Sequence, residues 1–578
     1  MNGAEAVVNF LMQKGVDVAF GYPGGPVLVL YEAIYKLKFN HILVRHEQGA
    51  AHAAEGYAKV TGRPGVIIAT SGPGATNLVT GLADAMLDSV PLFAITGAVA
   101  RKDTGRDAFQ EADITGITEP ITKASYLIMD EKKLLSIMEE AWQLTTEGRP
   151  GPVLINIPKD ILALEMPSEQ TPLRPFRRVE PELKKSKDSI AEVISMLKAA
   201  KQPLLLIGGG CVISPEAPAS LEAFLKQAPI PTAATTMGIG TLKRDHPACL
   251  GFAGMHGSLQ ANEALDQCDL LLAVGCRFSD RVVGNPKKYN SNTARKIIHC
   301  DIDPSEINKN VQVDLAIEDD AAHFFKALSA AFRKAEEEDK ADLEEWLQVI
   351  RPWSDRLRET KAKMQQVITR DYFKPQVPLL PEYVLSEIAA RYKGRDPIVV
   401  TDVGQHQMFT AQYFPIESPR SFLTSGGLGT MGFGLPASVG AAFAAEGRPV
   451  VAIVGDGGVQ MVIQELGTID ANRLPIHIFI FDNATLGMVR QWQSLFFNEH
   501  YSQSELNNNP DFVKIAEAYK IPALNVETPE DLTQALDRMQ ATEGPFLCRV
   551  FIRTEENVYP MVPAGKNSDE VMMPGMDG

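Results

Sequence analysis

Pro449-Val-Val-Ala-Ile-Val-Gly-Asp456-Gly-Gly458 and Ile476-His-Ile-Phe-Ile-Phe-Asp-Asn483 are apolar runs that each end on an oxygen-bearing side chain. Between them Val459, Val462, Ile463, Leu466 and Ile469 recur at helical spacing as far as Arg473. Two short apolar runs separated by one helical pattern predict a strand–helix–strand unit with buried parallel strands. Asp456 and Asn483 then stand at the carboxyl ends of neighbouring strands, the edge at which open α/β sheets bind ligands. A carboxylate beside an amide oxygen suits Mg²⁺, which takes oxygen ligands and shares them with a phosphate.

The unit occurs twice. Gly62-Arg63-Pro64 leads into Gly65-Val-Ile-Ile-Ala-Thr-Ser-Gly-Pro-Gly74 and then Pro91-Leu-Phe-Ala-Ile-Thr96, much as Gly447-Arg448-Pro449 leads into the Asp456 run and Pro475 into the Asn483 run. Ser71-Gly72-Pro73 stands where Gly455-Asp456-Gly457 stands in the later copy, so only the later copy can hold the metal. A third α/β block lies between them, with strands expected at 203–207, 270–274 and 296–300, the first running into Gly208-Gly209-Gly210. Boundaries are expected in the Pro- and charge-rich stretch 167–181 and in the charge-dense helical stretch 334–374, read as a solvated connector. The charge-free stretch 421–445, rich in Gly, Ala and Ser and broken by Pro436, reads as a glycine-rich loop entering a buried helix, not a membrane span.

A chain of 578 residues has room for several cores, and a formal net charge of −16 argues against nucleic acid or an anionic membrane as partner. The six cysteines form no CxxC pair and no metal-ligand spacing, so reduced thiols are expected. Met-Asn-Gly-Ala-Glu5 shows no basic region followed by an apolar stretch, so a cytoplasmic location without signal peptide is expected. His41-Ile-Leu-Val-Arg-His-Glu47 reads as a strand leading into a helix. Taken alone, Glu47 is an acid favoured by the helix dipole.

Gly455-Asp456-Gly457, spaced as it is from Asp482-Asn483, resembles the metal motif of thiamin diphosphate (ThDP) enzymes, with Asp482 in place of the first of two asparagines. Further motifs narrow the resemblance to the acetohydroxyacid synthase (acetolactate synthase) family. They are Gly21-Tyr-Pro-Gly-Gly25, Arg45-His-Glu-Gln-Gly49, Thr70-Ser-Gly-Pro-Gly-Ala-Thr-Asn77, Asp107-Ala-Phe-Gln-Glu-Ala112 and Pro158-Lys-Asp160. Gly254-Met-His-Gly257, Cys276-Arg-Phe-Ser-Asp-Arg-Val282, Val403-Gly-Gln-His-Gln-Met408, Gly426-Gly-Leu-Gly-Thr-Met431 and Gly487-Met-Val-Arg-Gln-Trp-Gln493 continue it.

The resemblance implies three consecutive open parallel-sheet α/β domains of the pyruvate oxidase-like architecture. A ThDP pyrimidine-binding domain spans 1–165, an FAD-binding domain 185–333, a diphosphate- and Mg²⁺-binding domain 375–550, and a tail over the active site 551–578. It implies that Glu47 hydrogen-bonds the pyrimidine ring and, through its imino form, generates the nucleophilic ylid. Asp456, Asn483 and the Thr485 carbonyl would bind Mg²⁺. Val403, Gly404, Gln405, His406, Gly457 and Gly458 would line the diphosphate, Met431 would prop the cofactor, and the Gly429 carbonyl would hold its amino group. Gly25 and Gln110 would face the reacting carbon, with Phe109, Lys159 and Met488 along the substrate channel. Trp492 would select the larger acceptor, and Arg281 would also bind substrate. FAD, structural and not redox-active, would be held by Gly208, Gly209, Gly210, Thr236, Met255, His256, Gly275, Arg277, Arg281, Asp301, Ile302 and Asp320.

The implied reaction decarboxylates pyruvate and joins the remaining two-carbon unit to pyruvate or 2-ketobutyrate, for branched-chain amino-acid synthesis. Active sites would lie at a dimer interface of a homo-oligomer, with a separate small regulatory subunit. Pyruvate oxidase is the alternative within the superfamily. A nucleotide-binding dehydrogenase would account for Gly208 but leaves Glu47, Asp456 and Asn483 unexplained. Pro26 replaces an alanine usual in relatives and fixes a backbone angle at the mouth of the site. Pro26→Ala is therefore expected to change the inhibition constant of sulfonylurea-type channel blockers.

Overall fold

The computed structural model describes residues 1–167, 185–291, 294–338, 340–566 and 570–573, so most of the 167–181 boundary lies outside the described residues. The first sheet contains β1 (Ala19–Gly21), β2 (His41–Leu43), β3 (Gly65–Ala69), β4 (Leu92–Ala98), β5 (Ala124–Leu127) and β6 (Pro152–Pro158), ordered 2-1-3-4-6-5. The second contains β7 (Pro203–Ile207), β8 (Thr232–Ala234), β9 (Cys249–Phe252), β10 (Leu270–Val274), β11 (Lys296–Asp301) and β12 (Leu315–Glu318), ordered 12-11-10-7-8-9. The third contains β13 (Ile398–Thr401), β14 (Phe422–Leu423), β15 (Val450–Gly455), β16 (Ile476–Asp482), β17 (Ala523–Val526) and β18 (Phe546–Phe551), ordered 14-13-15-16-18-17. Neighbouring strands run parallel throughout. The expected fold class is observed.

Counted within each sheet, the first and third orders are identical, which is the structural form of the repeated motif. The two copies also pack on each other through equivalent helices. Glu47–Thr61 follows β2, Gly434–Ala444 follows β14, and one hydrophobic core joins both. Their contact is backbone-close. A Cβ on Gly440 would lie 1.7 Å from the Ala53 carbonyl oxygen, and one on Gly56 2.0 Å from that of Ala437. Gly440→Val is therefore expected to destabilise the chain by about 3 kcal/mol or more, read as a fall in the urea midpoint. An unchanged midpoint would mean the helices can separate freely.

Two expectations are corrected. The helix expected over 459–473 is broken into Asp456–Met461, a 3-10 turn Ile463–Glu465, and Leu466–Ala471. The chain bends at Val462 (φ −137°, ψ 20°), which turns buried Glu465 toward the first domain, where it accepts the Arg45 N–H at 3.0 Å. The stretch read as a solvated connector forms helices Ala321–Glu338 and Lys340–Asp371, and these are not solvated all round. Leu343, Trp346, Ile350, Trp353 and Leu357 are buried against the central domain, and the Trp353 indole donates to the Pro203 carbonyl at 3.0 Å. Their i, i+3, i+7 spacing is an apolar stripe that the density of charge obscured. All six cysteines are free thiols, and among the described residues no helix is long and apolar enough to cross a membrane.

Candidate active site

In the third sheet the strand order reverses between β13 and β15, and a ligand crevice forms at such a switch point. Asp402, Val403, Gly404, Gln405 and His406 leave β13 there, and Asp456, Gly457 and Gly458 leave β15. Gly404 (φ +148°) turns the chain into helix Gln405–Tyr413, whose free N–H groups face the crevice edge as an anion site. The His406 ring is buried, its Nε2 has no partner, and burial pulls its pKa down to about 4. A neutral imidazole with an idle nitrogen in a crevice of backbone amides fits a diphosphate.

Asp402 is the residue that motif reading missed. Fully buried, it accepts N–H bonds from Val403, Gly432 and Gly434 at 2.8–3.0 Å, and a Cβ on Gly458 would meet its Oδ1 at 2.6 Å. It thereby ties the glycine-rich loop to both crevice turns. The loop in turn brings Met431 against Gly457 and Gly429 against Val403. The only signal in the sequence was an acid directly after an apolar strand.

The corner expected to hold metal lies between β15 and β16, which pair in register from Val450↔Ile476 to Gly455↔Phe481. Asp456 and Asn483 are both buried, and the Asn483 side-chain oxygen accepts the Thr485 N–H at 3.1 Å. Asn509 bridges Asp456 (2.7 Å) and Asp482 (3.1 Å), while Arg549 grips Asp482 at 2.7 and 2.6 Å. The substituted Asp482 is thus a neutralised anchor and leaves Asn483 as the second oxygen of the corner. Burial first, and the Asp482 charge second, push Asp456 up to about 7. A bound cation reverses both effects, so the oxygen set fits Mg²⁺.

Gly25, Glu47, Gln110 and Lys159 follow β1, β2, β4 and β6, all at the carboxyl edge of the first sheet. Glu47 opens its helix and accepts Asn77 Nδ2 at 2.9 Å. At this sheet's own switch point the hydroxyls of Thr70 and Ser71 are buried without partners. Gln110 holds a left-handed backbone (φ +61°) against Gly72, a strained conformation of the kind that collects at functional sites. Nothing lies within 4 Å of a Cβ on Gly25, and Phe109 is 89% exposed. Among the described residues no hydrogen bond joins Glu47 to Asp456 or Asn483.

Helix Gly487–Phe496 leaves the metal corner and carries Met488 and Trp492. The Arg281 guanidinium from the central domain lies 6.0 Å from the Trp492 ring centre and 3.4 Å from Met255 Sδ. Arg281 and Trp492, both expected to bind substrate, therefore meet although they are far apart in sequence. In the central domain the order reverses between β10 and β7. Gly208 and Gly275 leave those strands so closely that a Cβ on Gly208 would lie 2.1 Å from the Gly275 carbonyl. His256 Nδ1 is buried without a partner, and burial pushes Asp301, at the end of β11, up to about 7. Such a glycine-lined crevice with idle polar atoms fits a dinucleotide. Thr236 follows β8, Arg277 follows Gly275, and Ile302 follows Asp301 at the same edge. Asp320 is occupied in capping helix Ala321–Glu338, accepting Ser214 Oγ at 2.9 Å and the Ala322 N–H at 2.8 Å.

Comparison with known proteins agrees with this arrangement. The families described as thiamine pyrophosphate enzyme N-terminal TPP binding domain, central domain and C-terminal TPP binding domain match residues 1–117, 190–328 and 402–550. The chain is 43% identical over 572 residues to the acetolactate synthase isozyme 2 large subunit of Escherichia coli K12, covering 99% of each. It is 42% identical over 574 residues to the acetolactate synthase large subunit of Lactococcus lactis, covering 99% of this chain and 96% of the relative. A probable acetolactate synthase large subunit of Methanocaldococcus jannaschii is 44% identical over 586 residues, covering 99% and 95%.

Proposed function

Because the chain belongs to the acetolactate synthase large-subunit family of thiamine pyrophosphate enzymes, we propose that it converts two pyruvate molecules to 2-acetolactate and CO₂. With 2-ketobutyrate as acceptor the product is 2-aceto-2-hydroxybutyrate, and both serve branched-chain amino-acid synthesis. The observation that carries the reading is the Asp456–Asn483 oxygen corner beside a buried anion crevice. Bound ThDP supplies a carbon nucleophile and an electron sink. The chain's residues hold it and move its protons.

Val403, Gly404, Gln405, His406, Gly457 and Gly458 hold the diphosphate. Asp456, Asn483 and the Thr485 carbonyl would hold Mg²⁺, which would supply positive charge to the diphosphate. Glu47 would hydrogen-bond the pyrimidine and relay a proton there. The Gly429 carbonyl and Met431 would hold and orient the cofactor. Gly25, Phe109, Gln110 and Lys159 face the entering keto acids. A facing copy supplies the second half of each site. The relatives' description as large subunits supports a separate small regulatory partner. We place the enzyme in the cytoplasm.

FAD fits the crevice at Gly208–Gly210 and Gly275 together with Arg277, Met255, His256 and Asp301. Two pyruvates balance acetolactate plus CO₂ with no electrons left over, so FAD here is structural. A pyruvate oxidase would need an electron acceptor, and the relatives are named for the synthase reaction. The deciding experiment supplies the purified chain with pyruvate, ThDP, Mg²⁺ and FAD but no electron acceptor. Acetolactate must accumulate. Acetate or acetyl phosphate, formed only once oxygen and phosphate are added, would overturn the reading.

Trp492 contacts the extra methyl group of the larger acceptor. One methylene is worth about 1–3 kcal/mol, so Trp492→Leu should lower the preference for 2-ketobutyrate over pyruvate by about tenfold to 200-fold. Acetolactate formation from pyruvate alone should persist. An unchanged product ratio in a competition assay removes Trp492 from acceptor choice.

A further inference from the structure

A second group of metal-type ligands lies where the two duplicated units meet, away from the corner at Asp456. His52 and Glu55 share a face of helix Glu47–Thr61, and Asp84 reaches them from helix Val79–Asp88. All three are fully buried, and their ligand-capable atoms lie within 4.8 Å of one another. Glu55 Oε1 is 2.8 Å from His52 Nδ1, and Asp84 Oδ1 accepts Ser425 Oγ at 2.6 Å. The second oxygen of each carboxylate, Glu55 Oε2 and Asp84 Oδ2, is buried with no partner.

Charge accounting sharpens the point. Lys59 is the nearby cation, but it is committed to Asp88 Oδ2 (2.7 Å) and the Thr424 carbonyl (2.6 Å). Asp88 also accepts the Gly426 and Gly427 N–H groups at 3.0 and 2.7 Å. Lys59 also faces Glu55 and Asp84, so one cation stands among three carboxylates and leaves two of them uncompensated. Asp402, which also faces His52, is served by the Val403 N–H and by the Gly432 and Gly434 N–H groups at the start of helix Gly434–Ala444. Glu55 and Asp84 remain, two carboxylates beside an imidazole that burial keeps neutral. Buried carboxylates are compensated by pairing, by protons or by a metal. One imidazole nitrogen and two carboxylate oxygens, with idle oxygens turned inward, are a donor set for a divalent zinc- or manganese-type ion more than for Mg²⁺.

We propose that His52, Glu55 and Asp84 bind one divalent transition-type cation that pins the loop 425–431 to the first domain. The route is short. Asp84 holds Ser425 Oγ, and the same hydroxyl accepts the Thr430 N–H at 2.9 Å, next to Met431. The ion would therefore order the segment carrying Gly429 and Met431 without touching substrate. Since the site is enclosed, the ion enters as the chain folds.

The test is elemental analysis of the full chain, produced in medium supplemented with ZnCl₂ and MnCl₂ and passed through EDTA and gel filtration. One zinc or manganese per chain is expected. Asp456→Asn should retain it, and Glu55→Gln should reduce it to none. Wild-type protein without the ion, or Glu55→Gln protein that keeps it, overturns the proposal, and a proton shared by the two carboxylates then takes its place. Should Glu55→Gln fail to fold, X-ray absorption on the wild-type protein decides. A nitrogen-and-oxygen shell supports the site, and a sulfur shell or no metal edge overturns it. None of these readouts depends on activity, so they stand apart from the synthase reading.

Discussion

Replacing Glu47 by Gln is expected to lower acetolactate formation by about 10²- to 10⁴-fold, the range for losing a positioned proton-transfer group, while ThDP and Mg²⁺ still bind. The amide keeps the size of the side chain and can keep the Asn77 contact by flipping its oxygen toward Nδ2, now 2.9 Å from Glu47 Oε2. What it loses is the ability to take up and return a proton. Binding is read separately by titrating ThDP into the variant with Mg²⁺ present. Weakened binding with unchanged turnover at saturation would assign Glu47 to anchoring and not to chemistry, and full activity would remove it from the mechanism.

Asp456→Asn is expected to weaken Mg²⁺-supported ThDP binding by about 100-fold or more, equivalent to about 2.7 kcal/mol. The amide fits the same space and can still accept Asn509 Nδ2, so the fold should survive. The loss is specifically the charge. Burial and the neighbouring Asp482 already oppose ionisation of Asp456, so a bound cation would be what sustains its negative charge. Activity should partly recover at high Mg²⁺. A variant whose Mg²⁺ dependence matches the unmodified chain would place the metal elsewhere. Asp482→Asn should behave differently, since it leaves the mostly buried Arg549 without its carboxylate partner and costs stability before metal affinity.

The later strand–helix–strand unit was legible because buried parallel strands are written as unbroken apolar runs. Its helix was legible only in outline. Nothing local in 459–473 reports the bend at Val462, which sets Glu465 against the Arg45 N–H more than four hundred residues earlier in the chain. The connector misled for a related reason. The charges of helix Lys340–Asp371 outnumber the five residues of its buried stripe, and composition averages over faces that packing separates.

Sequence by itself determined the fold class, the duplication, and the placing of Glu47, Asp456 and Asn483 beyond the carboxyl ends of strands, because strand ends and motif spacings are local properties of the chain. Tertiary structure alone decided the identical strand order of the two copies and the backbone-close packing of their equivalent helices. It also decided the role of Asp402, the neutralisation of Asp482 by Arg549, and the enclosed His52–Glu55–Asp84 group. Each of these joins groups distant in sequence inside a low-dielectric interior. There a charge must find a partner, and which partner it finds is set by how the sheets and helices pack.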